Sequence, residues 1–146
     1  MILQHKYTHH FMYQYGNGAM PTWLVEGLAE CFSTANVDGT QVRLGVASPG
    51  RLRSLVLDTS SMNRIRPRRL PLETVLTAST GMLAGDDASA FYAQSLLLTH
   101  YLLRDPERKR QLAGYVRAIR AGADPLQAFP GAFGTDITTF GSALRA

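Results

Sequence analysis

Apolar residues recur at helical spacing along most of the chain, and this pattern predicts a mainly α-helical protein. Several of these segments begin at or next to a proline or an aspartate, and the segments that end at Tyr15 and Ala121 are followed directly by glycine; such residues are common at helix boundaries. The predicted helices cover residues 1–15, 21–34, 51–57, 72–78, 86–104, 106–121, 125–129 and 136–144. The helix that runs to Arg104, with Asp86 or Asp87 as its cap, is apolar around most of its circumference. We therefore expect it to be the central helix.

One segment favours β structure. Two short β-prone runs between Val37 and Val42 flank an Asp-Gly pair, which is typical of a tight hairpin. The predicted fold class is therefore mainly α with one short β-hairpin.

Length and charge exclude several classes of protein. A chain of 146 residues has room for one modest domain, and no stretch approaches the ~20 apolar residues of a membrane span. The net charge is +4, and arginines gather at 51–69 and 104–120. No aromatic residues interleave with these arginines for base stacking, so we interpret them as solvated surface and expect no nucleic-acid partner. The single cysteine, Cys31, lies in an apolar run and is interpreted as a small buried hydrophobe.

The chemistry-bearing residues are concentrated in the first thirty positions. Three of the four histidines lie there, and His5 and His9 are four residues apart on the first predicted helix. That spacing places both imidazoles on one face, one turn apart, where they can share a metal ion. His10 lies about 100° further round the helix and cannot easily join them.

Two glutamates lie on the second predicted helix. Glu26 and Glu30 are also four residues apart, within the otherwise apolar run 23–32. Burying carboxylates there is costly unless a metal or a cation meets them. A divalent ion bound between the two helices would satisfy both pairs. Alternatively, Lys6 and the histidines form ion pairs with the glutamates and leave the site free of metal.

These residues also carry a family resemblance. The run His5-Lys6-Tyr7-Thr8-His9 resembles the H-E-x-x-H zinc signature with its glutamate replaced, and Trp23 to Glu30 resembles the W-L-x-E-G-x-A helix of gluzincin metallopeptidases. The closest similarity is to peptidase MA-like domains of bacterial proteins, and it extends over nearly the whole chain. The resemblance implies that residues 1–146 form a single domain, the helical half of a zincin-like metallopeptidase.

The same resemblance assigns roles to the residues. His5, His9 and Glu26 would be the zinc ligands, and Glu30 would hold a ligand histidine through its other ring nitrogen. Lys6 occupies the position of the catalytic general base, and lysine is a cation at neutral pH that cannot accept a proton. Tyr92 is either an oxyanion donor, as downstream tyrosines are in gluzincins, or a core residue.

A second departure concerns the region before the zinc helix. Gluzincins have a β-sheet there, whereas this chain starts at the zinc helix. Either the chain is a fragment of a longer protein or the upstream half has been lost, and we expect both to leave an incomplete cleft and an exposed apolar face that favours homo-oligomers. We expect a gluzincin-type zinc metallopeptidase-like domain, inactive or impaired, that would take a peptide or protein substrate if active. The alternative is a non-enzymatic metal-binding or protein-interaction module.

Overall fold

Helices account for most of the chain. A computed structural model describes residues 2–15, 19–44, 49, 69–79 and 81–145. The helices in these ranges are α1 (Ile2–Tyr15), α2 (Thr22–Ser33), α3 (Leu72–Thr77), α4 (Gly85–Leu103), α5 (Pro106–Arg120), α6 (Pro125–Phe133) and α7 (Ile137–Arg145). The mainly α prediction is confirmed. The helix predicted over 51–57 lies outside the described residues, as does most of the first arginine group.

The β-hairpin forms at the predicted place. Strands β1 (Asn36–Asp38) and β2 (Gln41–Arg43) are antiparallel, and Val37 pairs with Val42. Gly39, in the turn, has a φ of 59°, a left-handed conformation that glycine adopts without steric cost. Both strands are exposed, so the hairpin projects from the helices.

Helix α4 is central, as its apolar circumference predicts. It packs against α2 most extensively and also against α3 and α5. Its core residues Phe91, Leu98 and Leu102 are buried, as are Trp23 and Leu24 of α2. Four aromatic rings close the far side of this core, namely Tyr115, Phe129, Phe133 and Phe140. None of the described helices has both the length and the apolar character that crossing a bilayer requires.

The packing of α2 on α4 depends on a glycine. A Cβ atom placed on Gly27 would lie 2.9 Å from the carbonyl carbon of Ser95, and it would overlap the Ser95 oxygen and Thr99 Oγ1. Ser95 and Thr99 are themselves small and fully buried. The close approach of the two helices therefore requires glycine at this position. It fixes α2, which carries both glutamates, against the core.

Two predicted helix boundaries are wrong. Helix α4 begins at Gly85, with Ala84 as its N-cap, so Asp86 and Asp87 lie in the first turn and do not cap the helix. Acidic side chains in that turn still favour the helix through its dipole.

The other wrong boundary is the end of α6, which was expected near Phe129. The helix continues to Phe133, with Pro130 in its interior. The rings of Phe129 and Phe133 lie 4.5 Å apart in the core, and their burial offsets the hydrogen bond that proline cannot donate.

Candidate metal centre

Helices α1 and α2 position the four chemistry-bearing residues that the sequence singles out. The helices pack against each other, and the side chains of His5 and His9 on α1 meet those of Glu26 and Glu30 on α2. Within each pair the spacing of four residues stacks the side chains one turn apart. Six residues separate the two helices along the chain, and the contacts show that the pairs face each other across one interface.

Three donor atoms converge at this interface. The Nε2 atoms of His5 and His9 are 3.1 Å apart. Glu26 Oε2 lies 3.4 Å from His5 Nε2 and 3.2 Å from His9 Nε2. The three atoms thus form a nearly equilateral triangle.

The size of this triangle fits a metal ion. Ligand atoms about 2.0–2.1 Å from a tetrahedral zinc ion lie roughly 3.3 Å from one another. The observed separations of 3.1–3.4 Å match that value. Two imidazoles and one carboxylate are also a donor set that zinc prefers. The residues present therefore fit such an ion.

Within the described residues, one carboxylate oxygen of Glu26 is buried without a hydrogen bond. Glu26 is 7% exposed, and within the described chain its Oε2 atom accepts no hydrogen bond, although two imidazole nitrogens lie within 3.4 Å. A buried acceptor left without a partner costs about 1–3 kcal/mol, and more when it is charged. The site therefore contains an acceptor that a cation would satisfy.

Glu30 lies behind His5. Its Oε1 atom is 3.4 Å from His5 Nδ1, the ring nitrogen that faces away from the triangle. A carboxylate at this position holds the proton on Nδ1 and leaves the lone pair of Nε2 free to bind a metal. Glu30 is also buried, so its charge acts in a region of low dielectric.

Cys31 follows Glu30 on α2, and the buried surroundings shift the pKa of its thiol. Burial, and secondarily the negative charge of Glu30, raise the pKa of the Cys31 thiol from 9.0 to about 11. The thiol is therefore neutral at physiological pH, which excludes it as a nucleophile. Its burial confirms that Cys31 is a small buried hydrophobe.

Comparison with known proteins assigns the chain to a family. The family described as Protein of unknown function (DUF1570) matches residues 2–126, most of the chain. The chain belongs to the DUF1570 family. No curated protein and no solved structure matches it. The DUF1570 match includes all four residues of the cluster.

The other sequence-predicted residues of this DUF1570 chain lie outside the triangle. Lys6 is exposed on α1, and so is His10, whose ring neighbours Tyr7 at 6.4 Å. Tyr92 is half-buried on α4 and packs against the core, with its ring edge-on to Phe91 at 5.8 Å.

Sequence reasoning missed three residues that contact a site residue or the helix that carries the glutamates. The ring of Tyr13 is stacked near that of His9, with centroids 6.5 Å apart and planes 25° apart. Its position four residues after His9 is the signal that could have identified it. Ser95 and Thr99, which contact Gly27, were also missed. The signal for that contact was Gly27 itself, because a glycine inside an apolar helix is unfavourable without a packing reason.

Proposed function

We propose that this chain is a zinc-binding domain of the gluzincin metallopeptidase type, with impaired peptide hydrolysis. His5, His9 and Glu26 are the ligands, and Glu30 orients His5. The observation that carries the proposal is the triangle of donor atoms 3.1–3.4 Å apart, one corner of which is a buried carboxylate oxygen that accepts no hydrogen bond within the described residues.

The contact between His5 and Glu30 supports a metal ion over a metal-free cluster. Glu30 Oε1, 3.4 Å from His5 Nδ1, favours the tautomer with the proton on Nδ1, and in that tautomer His5 Nε2 presents a lone pair to the triangle. Glu26 Oε2 also presents lone pairs there. A single proton on His9 Nε2 would satisfy only part of this arrangement, whereas a divalent cation satisfies all three atoms at once.

A zinc ion bound here would supply Lewis acidity, which polarises a carbonyl group. Peptide hydrolysis also requires a group that accepts a proton close to the metal. The residue after the first histidine is Lys6, an exposed cation without an acceptor lone pair. General-base assistance is worth about 10² to 10⁴ in rate, so its loss leaves little activity.

The test combines zinc affinity with hydrolysis of an unfolded protein such as reduced casein. The wild-type chain is compared with Lys6→Glu and with Lys109→Glu, which changes the chain's other lysine, exposed on α5. We expect all three to bind zinc and only Lys6→Glu to show chelator-sensitive hydrolysis. Wild-type hydrolysis equal to that of Lys6→Glu would refute the impairment, and absence of zinc binding would refute the site.

A second candidate function is a non-enzymatic metal-binding module that recognises another protein. The observation that favours it is a row of exposed apolar side chains on α1, where Leu3, Tyr7 and Phe11 are 81%, 70% and 55% exposed. Such patches commonly mark interaction surfaces. Zinc binding by Lys6→Glu without hydrolysis would support this module over the impaired peptidase.

A further inference from the structure

The candidate metal centre is open to solvent on one side. The side chains of His5 and His9 are 24% and 21% exposed, whereas that of Glu26 is 9% exposed. The imidazoles therefore form the accessible wall of the site. Three protein ligands leave one position of a tetrahedral ion for an outside ligand.

Lys6 and Tyr13 flank this accessible wall. At about 100° per residue, the Lys6 side chain leaves α1 roughly 60° further round the helix axis than that of His9, and the Tyr13 side chain roughly 40° further round. Both lie on the side away from His5. Along the helix axis, Lys6 lies between the two histidines. The stacking of Tyr13 near His9 is consistent with this placement. Both side chains are exposed, so an incoming ligand would meet them beside the metal.

The charges at the site then favour an anion. The carboxylates of Glu26 and Glu30 together balance the charge of one divalent ion. Lys6 adds a positive charge on the open side, so the loaded site has an excess of one positive charge. A glutamate at the same position would have given an excess of one negative charge. The net charge that a ligand meets at the loaded site therefore has the opposite sign with lysine at position 6 from the one it would have with glutamate.

We infer that the open position of the metal centre binds a carboxylate ligand, with Lys6 as the residue that selects for its negative charge. One carboxylate oxygen occupies the open position, and the ammonium group of Lys6 pairs with the carboxylate. The ring of Tyr13 offers apolar surface to the rest of the ligand. This inference rests on the proposed zinc site and extends it to a class of ligand.

The experiment first loads the full chain with Co²⁺, whose visible absorption responds to a change of ligand, and measures the bound metal. Sodium acetate is then titrated at constant ionic strength, with acetamide as the uncharged analogue. The proteins are the wild type, Lys6→Gln and Lys109→Gln. The last variant removes a lysine charge on α5 and serves as the matched control.

We expect acetate, but not acetamide, to change the spectrum. Lys6→Gln should weaken acetate binding by about two- to fivefold, the size expected of a solvent-exposed charge. Lys109→Gln should leave it unchanged. Equal acetate affinity in all three loaded proteins would overturn the inference while leaving the metal site intact. Failure of the wild type to bind metal would overturn both the inference and the proposed function.

The source of the carboxylate is resolved with two further probes. A tripeptide with a free C-terminus is compared with the same tripeptide amidated. Tighter binding of the free tripeptide than of acetate would identify a peptide end as the ligand. Equal binding of the free tripeptide and acetate would identify a small organic acid. Binding of the amidated tripeptide as tight as that of the free one would contradict the role of the carboxylate.

Discussion

Replacement of Gly27 by alanine tests the closest helix contact in the fold. The added methyl would lie 2.9 Å from the Ser95 carbonyl carbon and closer still to its oxygen, whereas ordinary contacts begin at 3.4 Å. Thr99 can rotate its hydroxyl group away, but a backbone carbonyl cannot move alone. Helices α2 and α4 must therefore separate by about 0.5–1 Å.

The cost follows from two opposing effects. Overpacking of this kind destabilises a protein by about 1–3 kcal/mol, and the better helix propensity of alanine returns at most about 1 kcal/mol. For Gly27→Ala we expect a net loss of about 1–2 kcal/mol, or a melting temperature lower by roughly 2–8 °C. Zinc affinity should change little, because α1 packs on α2 and the donor atoms of both helices move together.

Urea unfolding followed by far-UV circular dichroism measures the loss. The matched control is Gly114→Ala within α5, where the nearest atom to an added Cβ is 4.0 Å away. That variant should be up to about 1 kcal/mol more stable than the wild type. If Gly27→Ala is as stable as Gly114→Ala, the close approach of α2 and α4 does not exist as described.

The remaining predictions concern the site and the core. Glu30→Gln should weaken zinc affinity by roughly 10- to 100-fold and Glu26→Gln by more; the reverse order in zinc titrations would exchange their roles. Because the folded chain keeps the Cys31 proton up to a pKa of about 11 while the unfolded thiol loses it near 9.0, stability should fall as the pH rises between these values. Urea midpoints should show this fall in the wild type but less of it in Cys31→Ala. Phe129→Ala should cost about 3–5 kcal/mol and Phe11→Ala less than about 0.5 kcal/mol in urea unfolding, because only the first ring is buried.

The parts of the fold that were predicted correctly depend on local pattern. Helices α1 and α2 follow from apolar spacing and from Pro21, and the hairpin follows from the Asp-Gly pair. Where the pattern failed, tertiary packing decided the outcome. Pro130 indicates a helix end, yet burial of Phe133 in the aromatic cluster carries α6 past it.

The candidate site could be predicted from the sequence to the level of residues but not of atoms. Pairs at a spacing of four on consecutive helices indicated which side chains would face each other. The sequence could not indicate that Glu26 Oε2 lies within 3.4 Å of two imidazoles, because that depends on how α1 is set against α2. For the same reason the sequence could not indicate that Ser95 and Thr99 of α4 contact Gly27 of α2, because they lie almost seventy positions further along the chain.

The central claim is that His5 and His9 hold a metal ion together with Glu26, and zinc content measures this most directly. The purified chain is loaded with zinc, dialysed against metal-free buffer and analysed by atomic emission. We expect about one zinc per chain in the wild type and in His10→Ala, the control that removes an exposed histidine from the same helix. The His5→Ala, His9→Ala double variant should retain none, whereas one zinc per chain in that variant, or none in the wild type, would contradict the account.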